Sequence, residues 1–236
     1  MRIFGTCSEA VKEIERDLYV RGRLVHPERM QNKDVKDKDA FVTKELTCYP
    51  FSILSGHDRD VMLRYFKIPK EYVVQEWRDR MGGLATQGLN PGEAWKIMPS
   101  VWKQYLNKDG TFDYTYSERF YGHRQPQNVV EELQKHPNSR QGIVSIYDQS
   151  YDSFRIGKKR IPCSMYYQFL VREGKVNIVY TMRSCDFLTH FGADVWLAFE
   201  FQNWMCEELG REPGMLTMFI GSLHVYRRYM KNKGVF

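Results

Sequence analysis

A cysteine follows a proline in RIPCSMYYQFLV (160–171), at the start of a run that otherwise has the composition of a buried strand. Two readings of Cys163 are open. Free cysteine packs well in strands and is among the most buried residue types, whereas an accessible thiolate is a strong nucleophile. Three other stretches carry side chains able to do polar chemistry: PNSRQGIVS (137–145) with Arg140, MRSCDFLTHFGADVW (182–196) with Arg183, Ser184, Asp186 and Asp194, and GSLHVYRR (221–228) with His224 and Tyr226. Arginine supplies a planar, permanently charged fork suited to phosphate. The i, i+2 spacing of His224 and Tyr226 puts both on one side of an extended segment. Asp186 also fits a strand-end aspartate bonded to backbone, and Asp194 stands where a helix N-cap would stand.

These residues sit on a legible scaffold. SEAVKEIERDLYV (8–20) places Val11, Ile14 and Leu18 on one face behind a possible Ser8 cap, which predicts an amphipathic first helix. Residues 22–50 read as a long loop ending in a short strand near ELTCYPFSIL, and EYVVQEWRDR (71–80) as a second helix. Between 83 and 127 glycine, proline and aromatic residues crowd together without clean periodicity, which inside a compact domain points to function. PQNVVEELQKH is helical in pattern. From residue 142 the chain turns β-rich, with SMYYQFLV and KVNIVYTM joined as a hairpin by REGK. A nearly all-round apolar helix is expected from about Asp194 to Leu209, ended by Gly210, and a last strand over MLTMFIGSLHVY.

At 236 residues the chain is expected to form one compact α+β domain over 1–236, a mixed β-sheet packed with helices. No apolar stretch approaches the roughly 20 residues of a spanning helix, and the start lacks the apolar core of a secretory signal, so no membrane association and a cytosolic location are expected. Five widely spaced cysteines with no CxxC pair suggest neither a disulfide framework nor a zinc site. The net charge of +6 favours an anionic partner. Basic residues are not clustered among exposed aromatics, so a non-catalytic nucleic-acid-binding protein is the remote alternative and direct nucleic-acid binding is not expected.

The four stretches, in their order and separations, resemble the thymidylate synthase superfamily: an Arg-containing segment, Pro-Cys-x-x-x-x-Gln, Arg-Ser-x-Asp before a helix, and a final His-x-Tyr. The likeness is good over about 115–228 and holds only in outline before that. It implies that Cys163 adds to C6 of a pyrimidine nucleotide, with 5,10-methylenetetrahydrofolate as the cofactor. It also implies that Arg183 favours the thiolate and binds phosphate with Arg140 and Ser184, and that Gln168 positions the substrate. His224 and Tyr226 would hold the sugar hydroxyl, and Asp186 would lie near pyrimidine and pterin. Glu76, with Glu71 as the fallback, and Tyr121 would handle protons through water. The family carries two adjacent arginines where this chain has Arg140-Gln141, leaving one cation absent or supplied from near Arg21, Arg23 and Arg29. The resemblance further implies a homodimer with shared active sites, built through the sheet.

The base follows from Asp194, where uracil-using members of the family carry asparagine and the phage deoxycytidylate hydroxymethylases carry aspartate. A carboxylate only accepts, and the amino group and protonated N3 of cytosine are both donors. His190 stands where the family usually has glycine, and with Gly192 it marks a differently shaped loop. Only RRYMKNKGVF follows Tyr226, shorter than the family's closing segment, which favours water over hydride at the last step. The expected activity is therefore hydroxymethylation of dCMP at C5. The alternatives are a dUMP hydroxymethylase, a thymidylate synthase or a CMP hydroxymethylase using the same nucleophile.

Overall fold

The structure, a computed structural model, describes residues 1–82 and 89–230. Part of the aromatic segment singled out above, 83–88, and the tail 231–236 lie outside the described residues. The elements in chain order are β1 (Arg2–Phe4), α1 (Cys7–Arg21), β2 (Arg23–Val25), β3 (Arg29–Met30), β4 (Lys33–Asp34), β5 (Thr43–Ile53), α2 (Asp60–Phe66) and α3 (Lys70–Met81). Then come α4 (Ala94–Ile97), α5 (Pro99–Trp102), α6 (Tyr116–Tyr121), α7 (Gln125–Lys135), β6 (Ile143–Ser145) and α8 (Gln149–Arg155). The chain closes with β7 (Ser164–Arg172), β8 (Lys175–Asp186), α9 (Phe191–Leu209), β9 (Glu212–Tyr226) and α10 (Arg227–Met230).

Seven strands form a mixed sheet in the order β1-β5-β9-β8-β7-β6, with β2 also paired to β5. β8 and β9 are parallel neighbours and β7 and β8 antiparallel. A parallel pair needs a crossover, and α9 supplies it. Alternation along β8 sends Val176, Ile178, Tyr180 and Met182 into the core beneath α9, where Phe201 packs against Tyr167 and Phe169. The other face is open: Tyr166 of β7 and Phe219 of β9 stay 36% and 40% exposed and flank Thr181 in register.

Three expectations are corrected. Helix α1 starts at Cys7, capped by Thr6, whose hydroxyl accepts from Glu9 N–H, so Ser8 is inside the helix. The 22–50 segment is structured: β2 pairs with β5, β3 and β4 form their own hairpin, and β5 runs eleven residues from Thr43. Helix α9 starts at Phe191 rather than Asp194 because Gly192 lets its first turn settle on Phe66, where an added Cβ would lie 2.4 Å from the ring. Gly210 ends α9 with φ 60°, as expected of a left-handed cap.

Candidate active site

Strand direction explains why residues far apart in sequence meet. Asp186 pairs in register with His224 and Ser184 with Ser222 at the carboxyl ends of β8 and β9. Antiparallel β7 begins there, Ser164 opposite Met182, and so does β5, Thr43 opposite Tyr226. Crevices outside the carboxyl ends of parallel strands are common ligand sites. A cleft of about 360 Å³ opens at this rim, lined by Cys163, Arg183, Ser184, Asp186, Asp194, His224 and Tyr226 among others.

Cys163 is half-buried, in the loop entering β7, and faces this cleft. Burial pushes the thiols of Cys7 and Cys185 well up and that of Cys206 to about 11. Three donors surround the Cys163 sulfur: Arg183 Nη2 at 3.7 Å, Gln31 Nε2 at 3.7 Å and Ser184 Oγ at 3.8 Å. Arg183 also donates through Nε to the Pro162 carbonyl at 2.8 Å and through Nη2 to that of Ile161 at 3.3 Å. It therefore holds the Pro-Cys loop in place while facing the sulfur.

Asp194 is not a cap. His190 holds the N-cap position and Asp194 lies in the first turn of α9, its carboxyl turned into the cleft. Burial raises its pKa to about 7, opposed by the Arg80 guanidinium and a hydrogen bond from Cys185 Sγ. Arg80, itself buried, donates from Nε to Glu76 Oε1 at 2.9 Å and lies over the Tyr116 ring at 3.7 Å. From Tyr116 the hydroxyl bonds Ser164 Oγ, which in turn bonds the Tyr180 hydroxyl. A polar chain thus runs from Glu76 to Ser164, the residue next to Cys163.

Asp186 Oδ1 accepts from Leu188 N–H at 3.1 Å, the strand-end bond its residue type allows, and its side chain still lines the cleft. The His224 ring packs edge-on against Tyr226, with Nδ1 within 3.2 Å of Ser222 Oγ. His190 packs against Trp102 in the cleft wall, and burial lowers its pKa.

Other expected residues lie elsewhere. Tyr121 donates to the Met81 carbonyl at 2.6 Å and is not among the residues lining the cleft, whereas the Tyr116 hydroxyl bonds Ser164. Gln168 and Arg140 are outside the cleft: alternation along β7 turns Gln168 to the open face, where its amide donates to the Arg140 carbonyl at 2.9 Å. Glu76 lines a smaller recess beside the cleft, with Asp79, Asn90, Trp95, Trp102 and Tyr114. Aromatic walls with a few carboxylates and an amide suit a flat heteroaromatic group with donors at its edge, as a pterin has.

Four residues that sequence reasoning missed build the site: Arg80, Tyr116, Gln31 and Arg160. Arg160 lines both spaces, its guanidinium set among the rings of Trp102, Tyr105 and Tyr114 at 5.0, 4.4 and 4.9 Å. It lies three residues before Cys163 in the quoted motif, and that proximity was its only signal.

A family model described as Thymidylate synthase matches residues 94–234. A relative from Methanosarcina barkeri is 28% identical over 130 residues, 52% of this chain and 58% of its own. The deoxycytidylate 5-hydroxymethyltransferase of Enterobacteria phage T6 is 28% identical over 152 residues, 59% of this chain and 60% of its own. The chain thus spans less than two thirds of the length of these curated relatives. In fold, thermostable thymidylate synthase A of Bacillus subtilis superposes with a TM-score of 0.71 at 16% identity, over 96% of this chain and 82% of that one. The thymidylate synthase of T4 phage gives 0.65 at 17% identity, over 94% and 78%. With strand ends, cysteine and family match in agreement, the chain belongs to the thymidylate synthase family.

Proposed function

We propose that this chain is a deoxycytidylate 5-hydroxymethyltransferase, acting on dCMP with methylenetetrahydrofolate and water. The observation that carries the base assignment is Asp194, a half-buried carboxyl with its pKa raised to about 7, in the same cleft as Cys163. Cytosine offers an amino group as donor and N3 as acceptor. A carboxyl that shares one proton with N3 and accepts from the amino group satisfies both edges. That proton draws electron density from C6, where the Cys163 sulfur adds. The likeness to the T6 hydroxymethyltransferase supports this reading.

Methylenetetrahydrofolate, when bound, supplies the one-carbon unit, and the recess containing Trp95, Trp102 and Tyr114 is the place we assign to it. Glu76, oriented by Arg80, is assigned to proton handling at that end. Asp186 faces both rings, and His224 and Tyr226 take the sugar. At the last step the oxygen of water bonds the exocyclic carbon on C5 and its proton leaves to solvent. The C6–S bond then breaks with its pair returning to Cys163. Arg183 and Ser184 hold phosphate, joined by Arg140 and Gln168 of a second copy across the open sheet face, which makes the enzyme a homodimer.

A second reading is favoured by the same carboxyl. When protonated, Asp194 offers an O–H to O4 and a carbonyl to N3–H, which suits uracil and would make the chain a dUMP hydroxymethylase or a thymidylate synthase. Incubation with dCMP, dUMP or CMP plus methylenetetrahydrofolate, followed by product mass, decides. Conversion of dUMP but not dCMP overturns the assignment, and a methyl product with dihydrofolate identifies a synthase. Tritium release from C5-labelled dCMP that survives Cys163→Ala removes the nucleophile.

A further inference from the structure

Hairpin β3–β4 is distant in sequence from every motif that carries the family likeness, and the family match begins only at residue 94. It nevertheless forms a wall of the cleft through Arg29, Met30 and Gln31. Arg29 Nη1 donates to the Gly157 carbonyl at 3.0 Å. Ile161 N–H donates to Gln31 Oε1 at 3.0 Å, and Gln31 Nε2 donates to the Ile161 carbonyl at 3.1 Å. The Gln31 amide thus pairs with residue 161 as a neighbouring strand would. Its NH₂ carries two hydrogens, and the same nitrogen lies 3.7 Å from Cys163 Sγ.

The backbone of Gln31 has φ 56°, a left-handed conformation that costs a side-chain-bearing residue and suits glycine. Of the non-glycine residues with positive φ among those described, Gln31 is the one that lines the cleft. Strain retained beside a ligand cleft points to a use for the side chain.

We infer that Gln31 is a positioning residue for the nucleophile: its side-chain amide fixes the Ile161–Cys163 loop and gives the sulfur a neutral N–H donor beside those of Arg183 and Ser184. The inference rests on reading Cys163 as the nucleophile. Before addition the thiol gives its proton to water, and the sulfur then bonds C6 as a C5=C6 electron pair moves into the ring. On release the C6–S bond breaks and its pair returns to sulfur. The sulfur is anionic at both ends of the cycle, and a facing N–H favours that state.

The test is iodoacetamide alkylation of Cys163 in the full chain across pH, read by peptide mass, with thermal melting of the same samples. Gln31→Glu replaces the donor by an acceptor. Gln31→Gly removes the side chain and relieves the positive φ. Both variants are expected to shift the alkylation profile to higher pH, so that the rate at pH 7 falls about 3- to 10-fold, while Gln31→Gly stays folded, the relief of its positive φ partly offsetting the two hydrogen bonds lost to residue 161. A wild-type alkylation profile in a folded Gln31→Gly protein overturns the inference, as does a loss of rate that only tracks a loss of fold. Alkylation needs no nucleotide, and tritium release by wild type against Cys163→Ala needs no Gln31 variant, so either reading can fail without the other.

Discussion

The Cys185 thiol donates to Asp194 Oδ2 at 3.6 Å, beneath the cleft floor. A weak sulfur donor compensates a buried carboxylate poorly. The positive charge that stabilises it is that of Arg80, which is shared with Glu76. The fold therefore tolerates a carboxyl that is costly to ionise where asparagine would carry no charge. Burial of this kind is common where a group serves chemistry rather than stability.

Asp194→Asn should stabilise the protein at neutral and alkaline pH. The folded pKa of about 7 lies above the ordinary 3.8, so the contribution of this carboxyl is fully present below about pH 4 and is lost as pH rises through 7. Asp194 keeps part of its surface open to the cleft, where solvent screens the charge, so that loss amounts to roughly 1–3 kcal/mol. Melting temperatures should show the variant above wild type at pH 8, with the gap closing toward pH 5. Product mass should show its preference moved toward dUMP, and an unchanged dCMP preference would refute the base assignment.

Arg183→Lys should lower turnover on the order of 100-fold with only a small change in melting temperature. Arg183 spans the carbonyls of Pro162 and Ile161 with a planar fork while facing the sulfur. An ammonium is a single point of donation and cannot reproduce that spread. Steady-state kcat, with Cys163 alkylation as the second readout, checks this; wild-type values in both would show that loop and sulfur do not depend on the fork.

The strand-end motifs were legible because their chemistry sits on short extended segments whose order survives in the sequence. The Pro-Cys segment, Arg183-Ser184, Asp186 and His224 converge once β8 and β9 are placed in parallel. Residues 89–122 were illegible for a physical reason: α4, α5 and α6 have 4, 4 and 6 residues, too short to show a 3.6-residue period. Tyr121 is marked by the Gly122 that follows it, whereas nothing local marks Tyr116 five residues earlier in the same short helix. Nothing in EYVVQEWRDR marks Arg80 out from its neighbouring charges, although its guanidinium lies over the Tyr116 ring. The contact of Gln31 with Cys163 spans 132 positions, and no local pattern encodes it.

Tyr116→Phe and Tyr121→Phe should part company. The first removes the hydroxyl that bonds Ser164 beside Cys163, and the second only one donated to the Met81 carbonyl. Loss of either hydrogen bond costs about 1 kcal/mol of stability, so melting should be similar. Turnover should fall on the order of 10-fold or more in Tyr116→Phe and stay within about twofold in Tyr121→Phe. Equal losses would restore Tyr121 to the site.

Glu76→Gln should destabilise the protein and move a pH limb at once. Removing the carboxylate leaves the buried Arg80 charge without its partner, a loss of about 3 kcal/mol by urea denaturation. The Glu76 charge also raises the Asp194 pKa. Without it, Asp194 ionises at lower pH, and the alkaline limb of activity, where the shared proton is lost, should shift downward. The position of that limb in kcat against pH is the readout, since its height also reflects the proton handling assigned to Glu76.

Subunit complementation tests the proposed dimer directly. Gln168 faces the open side of the sheet and bonds the Arg140 carbonyl, and neither residue lines the cleft of its own chain, whereas Cys163 does. If a two-fold pair shares its sites, Cys163→Ala and Arg140→Ala each give an inactive or crippled homodimer. A mixed dimer then combines both lesions in one site and leaves the other intact. Equimolar mixing after reversible dissociation should yield about half mixed dimers, and hence about a quarter of wild-type turnover. Arg140 acting only within its own chain would leave every site in the mixture lesioned, and tritium release would stay at the average of the two parents.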